Sequence, residues 1–186
     1  MNIEVRQQKL AIGDKYEVFI DGNLKYKVKS TLLKLFLSEL QVFDLSDNRV
    51  GVINQGFDWF KLKYSINLYY LLPFEINTKR IFAMEYEAKI NSDTYLITRH
   101  AGLKISVFKN GTQIASASKN HFTWFEGDIF TMEVESHIDP LIMISIILCI
   151  DNFYYNDNNR DGMFTLDFGN LGIFSKKNNS KWKARG

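Results

Sequence analysis

The stretch that most limits what this chain can fold into runs from Leu141 to Ile150, apolar at every position but Ser145. Ten residues cannot cross a hydrocarbon core, which needs roughly 20. The segment is therefore a helix or a strand enclosed by protein. Asp139-Pro140, directly ahead of it, selects the helix: Asp caps a first turn, and Pro suits the first helical position. A helix from about Asp139 to Tyr155 follows. Its apolar part offers no face to water, so other elements have to surround it.

Upstream of Asp139 almost nothing carries a helical period. Short β-branched and aromatic runs alternate with turn signals instead. Lys15–Ile20 leads through Asp21-Gly22-Asn23 into Leu24–Val28, and Asp-Gly between two such runs is a strong hairpin signal. Leu40–Asp44 leads through Ser46-Asp47-Asn48 into Arg49–Ile53, and Lys104–Phe108 leads through Asn110-Gly111 into Gln113–Ala115. The segment Thr31–Leu40 has enough leucines for a helix, but its flanking strands favour β.

An internal repeat supports the strand reading. Val42-Phe43 and Val107-Phe108 stand 65 residues apart, as do Phe57-Asp58-Trp59-Phe60 and Phe122-Thr123-Trp124-Phe125. Two landmarks at one offset indicate a duplicated unit, and Val18-Phe19 opens a third hairpin of the same kind. The Phe-x-Trp-Phe segments could stack on a ligand, but large aromatics dominate core burial, so the repeat reads first as a core anchor.

These parts fit one architecture. About a dozen antiparallel strands make a barrel wide enough for a helix roughly 10 Å across, and a 17-residue helix, about 25 Å long, matches seven or eight strand residues. The expected fold is mainly β: a closed antiparallel barrel of about twelve strands around a central hydrophobic C-terminal helix. With 186 residues, 46% of them hydrophobic, the chain can bury such a core in one domain. The barrel and helix take residues 1–155, and 156–186 form a polar, basic extension.

The order and spacing of these pieces resemble the LURP-one-related family, within the tubby C-terminal-like and phospholipid scramblase-like superfamily. The matching residues are Gly13-Asp14-Lys15-Tyr16-Glu17-Val18, the repeated hairpins, and Phe122-Thr123-Trp124-Phe125-Glu126-Gly127-Asp128. Asp139-Pro140, the apolar helix and Asp151 close the pattern. The resemblance covers roughly residues 1–155. It implies a twelve-stranded barrel around a central helix, and tubby and scramblase relatives work at phosphoinositides and membranes. It carries over no individual lipid-binding residue, and the tail after Tyr155 lies outside its pattern.

Catalytic signals are weak. His100, His121 and His137 lie in separate segments without ligand spacing, and Cys149 reads as a small core hydrophobe rather than a nucleophile. Glu85 and Glu87 would share one strand face, toward solvent, with Asp93 in the following turn. The chain has no Gly-rich phosphate loop and no Gly-x-Ser-x-Gly elbow. Asp157, Asn159 and Asp161, with Gly162, match the opening of an EF-hand calcium loop, but Phe168 stands where the bidentate acid belongs. An Asn/Asp-rich turn explains that run better, and no cofactor is expected.

Charge points elsewhere. Lys plus Arg exceeds Asp plus Glu by only 23 to 21, which excludes a long nucleic-acid face built on bulk charge. The excess gathers at the C-terminus, in Lys176, Lys177, Lys181, Lys183 and Arg185 around Trp182. Such a cluster is either a solvated terminus or a contact for anionic lipid, with the Trp at the interface. Met1–Gln8 lacks the apolar core of a signal peptide, so a cytoplasmic location is expected, peripheral to the inner membrane surface if lipid is the ligand. With the resemblance, this favours a non-enzymatic binding module for anionic headgroups. A protein-interaction barrel, or an enzyme of unrecognised type, are the alternatives.

Overall fold

A computed structural model describes residues 1–8, 15–32, 38–56, 61–81, 84–100, 104–121, 128–155 and 182–185. The first half-barrel holds β1 (Asn2–Gln8), β2 (Lys15–Ile20), β3 (Asn23–Leu32), β4 (Ser38–Phe43), β5 (Arg49–Gln55) and β6 (Lys63–Leu68). The second holds β7 (Phe74–Arg80), β8 (Glu85–Ile90), β9 (Asp93–His100), β10 (Lys104–Lys109), β11 (Thr112–His121) and β12 (Asp128–Val134). One helix follows, α1 (Pro140–Tyr155). Each strand pairs antiparallel with the next, and β1 also pairs with β12, so the sheet closes.

The expected architecture is present. Leu141–Ile150 is buried throughout, and Met143, Ile144, Ile146, Ile147, Leu148 and Cys149 have no exposure at all. The single polar residue in the run causes no strain, because the Ser145 hydroxyl donates to the Leu141 carbonyl at 2.8 Å. Asp139 caps the helix as its sequence position foretold: its Oδ1 accepts from the Leu141 amide at 2.9 Å. At about 24 Å, sixteen residues of helix reach from one end of the barrel to the other.

The repeat has a structural counterpart. The offset of 65 carries β4, β5 and β6 onto β10, β11 and β12, the last three strands of each successive set of six. The Val-Phe landmark marks the same irregularity each time. Register shifts fall at Val18/Phe19, Val42/Phe43 and Val107/Phe108, leaving Lys25, Val50 and Ile114 unopposed on the partner strands. Such bulges bend and twist a ribbon, which helps a sheet close on itself. The Val of each pair is fully buried. Asp21-Gly22 and Asn110-Gly111 turn with positive φ at both residues, as a two-residue hairpin requires. Gly51 is needed for a different reason: a Cβ there would stand 2.7 Å from Leu68 Cδ2 on the neighbouring strand.

Residues 33–37, within the ambiguous Thr31–Leu40 segment, lie outside the described residues. So do both Phe-x-Trp-Phe segments, which belong to the β5–β6 and β11–β12 connections. Among the described residues, no helix is long and apolar enough to cross a membrane.

Candidate functional site

A meander closed into a barrel puts its connections alternately at two ends. The turns at 21–22, 44–48, 69–73, 91–92, 110–111 and 135–139 lie at the end where α1 begins, here the turn end. The chain's last described residues return to this end. The Arg185 amide donates to Glu135 Oε2 at 3.0 Å, just beyond β12. Glu135 is itself fixed, since its amide donates to the Ile114 carbonyl at 2.9 Å. Beside this junction is a cleft lined by Lys109, Asn110, Gln113, Glu135, His137 and Arg185.

The charges of the cleft are not equivalent. Lys109 Nζ lies 2.8 Å from Asp93 Oδ2, and Asn110 Nδ2 donates to Asp93 Oδ1 at 2.7 Å. Lys109, then Asn110, draws the Asp93 carboxyl below its usual range, and Asp93 in turn raises Lys109. This pair is internally balanced. Lys183, Arg185 and His137 are exposed, so the charge facing outward comes from the terminal segment.

The other end of the barrel interior, where α1 finishes, is polar. Asp151 Oδ1 lies 2.9 Å from Lys119 Nζ on β11, and Asp151 Oδ2 accepts from the Tyr16 hydroxyl on β2 at 3.0 Å. The Lys119 ammonium also sits 5.0 Å from the centre of the Phe130 ring. One residue on, Asn152 Nδ2 donates to the Tyr64 hydroxyl at 2.6 Å and reaches Gln55 Oε1 at 3.4 Å. Four strands, β2, β5, β6 and β11, are thereby tied to the last turns of the helix. Both side chains of the Lys119–Asp151 pair are buried, at 0% and 2% exposure, and the cluster holds the plug in register.

The family model for LURP-one-related proteins matches residues 1–151. The chain belongs to the LURP-one-related family. Among solved structures, it is similar to an X-ray structure of a protein from Arabidopsis thaliana, with a TM-score of 0.54 and 12% identity. That likeness covers 82% of this chain and 91% of the plant protein, and it shows a shared fold. No curated protein matches the chain significantly.

In this LURP-one-related barrel, the residues singled out by sequence have different fates. Trp182 is half-buried, and Lys183 and Arg185 are exposed at the turn end. Lys176, Lys177 and Lys181 lie outside the described residues, as do Asp157, Asn159 and Asp161 of the calcium-like run. Among the described residues, no three His, Cys, Asp or Glu side chains gather as a metal site. His100 Nε2 lies 3.0 Å from the Ser106 hydroxyl, and burial, then Lys104, holds its pKa below the usual value. Cys149 is fully buried, and burial pushes its thiol well above the ordinary range.

Glu85 corrects an expectation. It shares a strand face with Glu87, as alternation requires, yet it is only 1% exposed. Its Oε2 lies 2.6 Å from an Arg80 guanidinium nitrogen, whereas Glu87 pairs with Lys79 near the surface. The polar cluster around Asp151 was not identified from sequence. Its signal was strand parity, since Lys119 alternates with Ala115 and Ala117, both buried.

Proposed function

We propose that this LURP-one-related barrel is a non-enzymatic binding module that engages anionic lipid headgroups at the inner membrane surface through its basic C-terminal segment. The observation that carries the reading is the placement of the terminus. Arg185 is tethered by its backbone to Glu135 and lines the cleft, and the side chains of Lys183 and Arg185 remain exposed. A tethered segment presents charge at a fixed place on the barrel, with less ordering to lose on binding than a free tail. Each basic residue near an anionic leaflet contributes on the order of 1 kcal/mol. The interior supports the same reading from the other side: α1 fills it, so a ligand is met on the outside.

The test is co-sedimentation of the chain with vesicles of neutral and of anionic composition across a salt series. Binding to anionic vesicles that weakens steeply with salt is expected, since exposed charges are screened within about 8 Å at physiological ionic strength. Replacing Lys176, Lys177, Lys181, Lys183 and Arg185 together by Gln should abolish it. Absence of binding at every salt concentration would reject the lipid reading in favour of a protein-interaction barrel.

A further inference from the structure

The turn end also carries an apolar patch. Among the described residues the exposed large hydrophobic side chains are Leu45, Tyr69, Tyr70, Leu72 and Ile81, and the first four belong to two turns. Leu72 is the most exposed, at 74%. Leu45 lies in the β4–β5 turn, and Tyr69, Tyr70 and Leu72 lie in the β6–β7 turn. The two turns are neighbours: the Tyr69 amide donates to the Val50 carbonyl at 3.1 Å, and the Arg49 guanidinium lies 5.6 Å from the Tyr69 ring centre. These residues are exposed turn tips at the rim of the barrel.

We propose that this rim is the membrane-facing surface of the barrel, with Leu45, Tyr69, Tyr70 and Leu72 entering the interfacial layer of a lipid bilayer. The proposal rests on the lipid reading above and adds the orientation and the apolar half of the contact. Three observations carry it. First, the patch and the basic terminus share the turn end, so one flat surface can meet both. Second, the Tyr70 hydroxyl already donates to Asp139 Oδ2 at 2.6 Å while 57% of the residue is exposed. The ring can therefore leave water without stranding its polar group. Third, Asp44 and Asp139 beside the patch are engaged within the protein, and Asp47 is the exposed acid of the β4–β5 turn. Asp44 accepts from the Ser46 and Asn48 amides, both at 2.9 Å, and Asp139 caps α1. Arg49 at the rim supplies the charge that an anionic headgroup layer attracts.

The test places an environment-sensitive fluorophore on a Leu72→Cys variant of the full chain. Labelling is selective because the sole native cysteine, Cys149, is buried. A Lys104→Cys variant, exposed at the start of β10 and at the opposite end of the barrel, serves as the comparison. With anionic vesicles the label at position 72 should shift to the blue and be quenched by bromine-bearing lipid, while the label at 104 should do neither. Leu45→Ser combined with Leu72→Ser should weaken vesicle binding about tenfold, a factor equivalent to about 1.4 kcal/mol. It should leave the salt dependence intact. If the parent chain binds vesicles but the label at 72 does not respond, the orientation is wrong and the lipid reading stands. If the parent binds no vesicle, both fall. A blue shift at 72 that appears without vesicles and rises with protein concentration would assign the patch to self-association and overturn the proposal.

Discussion

Removing one member of the Lys119–Asp151 pair should destabilise the barrel far more than removing both. The two charges are 2.9 Å apart and almost without solvent contact. At an effective dielectric of about 20 their attraction is about 6 kcal/mol, and the desolvation of each ion offsets several kcal/mol of it. The net value of the pair is therefore small, while an orphaned charge keeps its desolvation cost without its partner. Asp151→Asn preserves volume and an acceptor for the Tyr16 hydroxyl, and Lys119→Met preserves chain length. Each single variant should lose about 3–5 kcal/mol, and the double variant should return to within about 1–2 kcal/mol of the parent. Urea unfolding at pH 7, with the slope checked for constancy, measures all four proteins. Losses below about 1 kcal/mol for the single variants would mean the pair behaves as an exposed one, and simple additivity in the double variant would refute the coupling.

Two further outcomes follow from buried titratable groups. Ellman's reagent at pH 8 should leave Cys149 untouched in the folded chain and titrate one thiol per chain in denaturant, because burial keeps the thiol protonated; rapid reaction under native conditions would contradict an enclosed helix. His100 has a depressed pKa in the fold, so below the ordinary value of about 6.5 the unfolded chain binds the extra proton first. Stability should therefore be insensitive to this group above that pH and fall as pH drops through the window beneath it. His100→Gln should flatten that part of a melting-temperature profile, and an unchanged profile would contradict the assignment.

The fold was legible because its strongest constraints are local. A decamer apolar everywhere but Ser145, behind Asp139-Pro140, can only be an enclosed helix, and Asp21-Gly22 and Asn110-Gly111 turn where two positive φ values are required. The Val-Phe pairs announced a repeat, but not that each marks a register shift, since a bulge depends on the partner strand as well. Lys119 looked like any strand lysine. Its inward direction follows from parity with Ala115 and Ala117, and its partner lies 32 residues away on the helix. Glu85 failed for the opposite reason: parity assigned its face correctly, but not the cover and the Arg80 pairing that remove it from water. The Tyr69–Leu72 run escaped notice because four apolar residues before a proline look like strand until the register ends β6 at Leu68.

Because α1 fills the barrel, binding is left to the outer surface and the rims. Hydrogen exchange of peptides spanning Leu141–Ile150, followed by mass spectrometry as urea is raised, tests this enclosure directly. If the helix is enclosed, these amides exchange only when the whole domain unfolds, so their opening free energy equals the global stability and falls with the same urea slope. Exchange of this segment at a clearly lower free energy, with little urea dependence while the strands stay protected, would show that the helix opens to solvent on its own and would contradict the account.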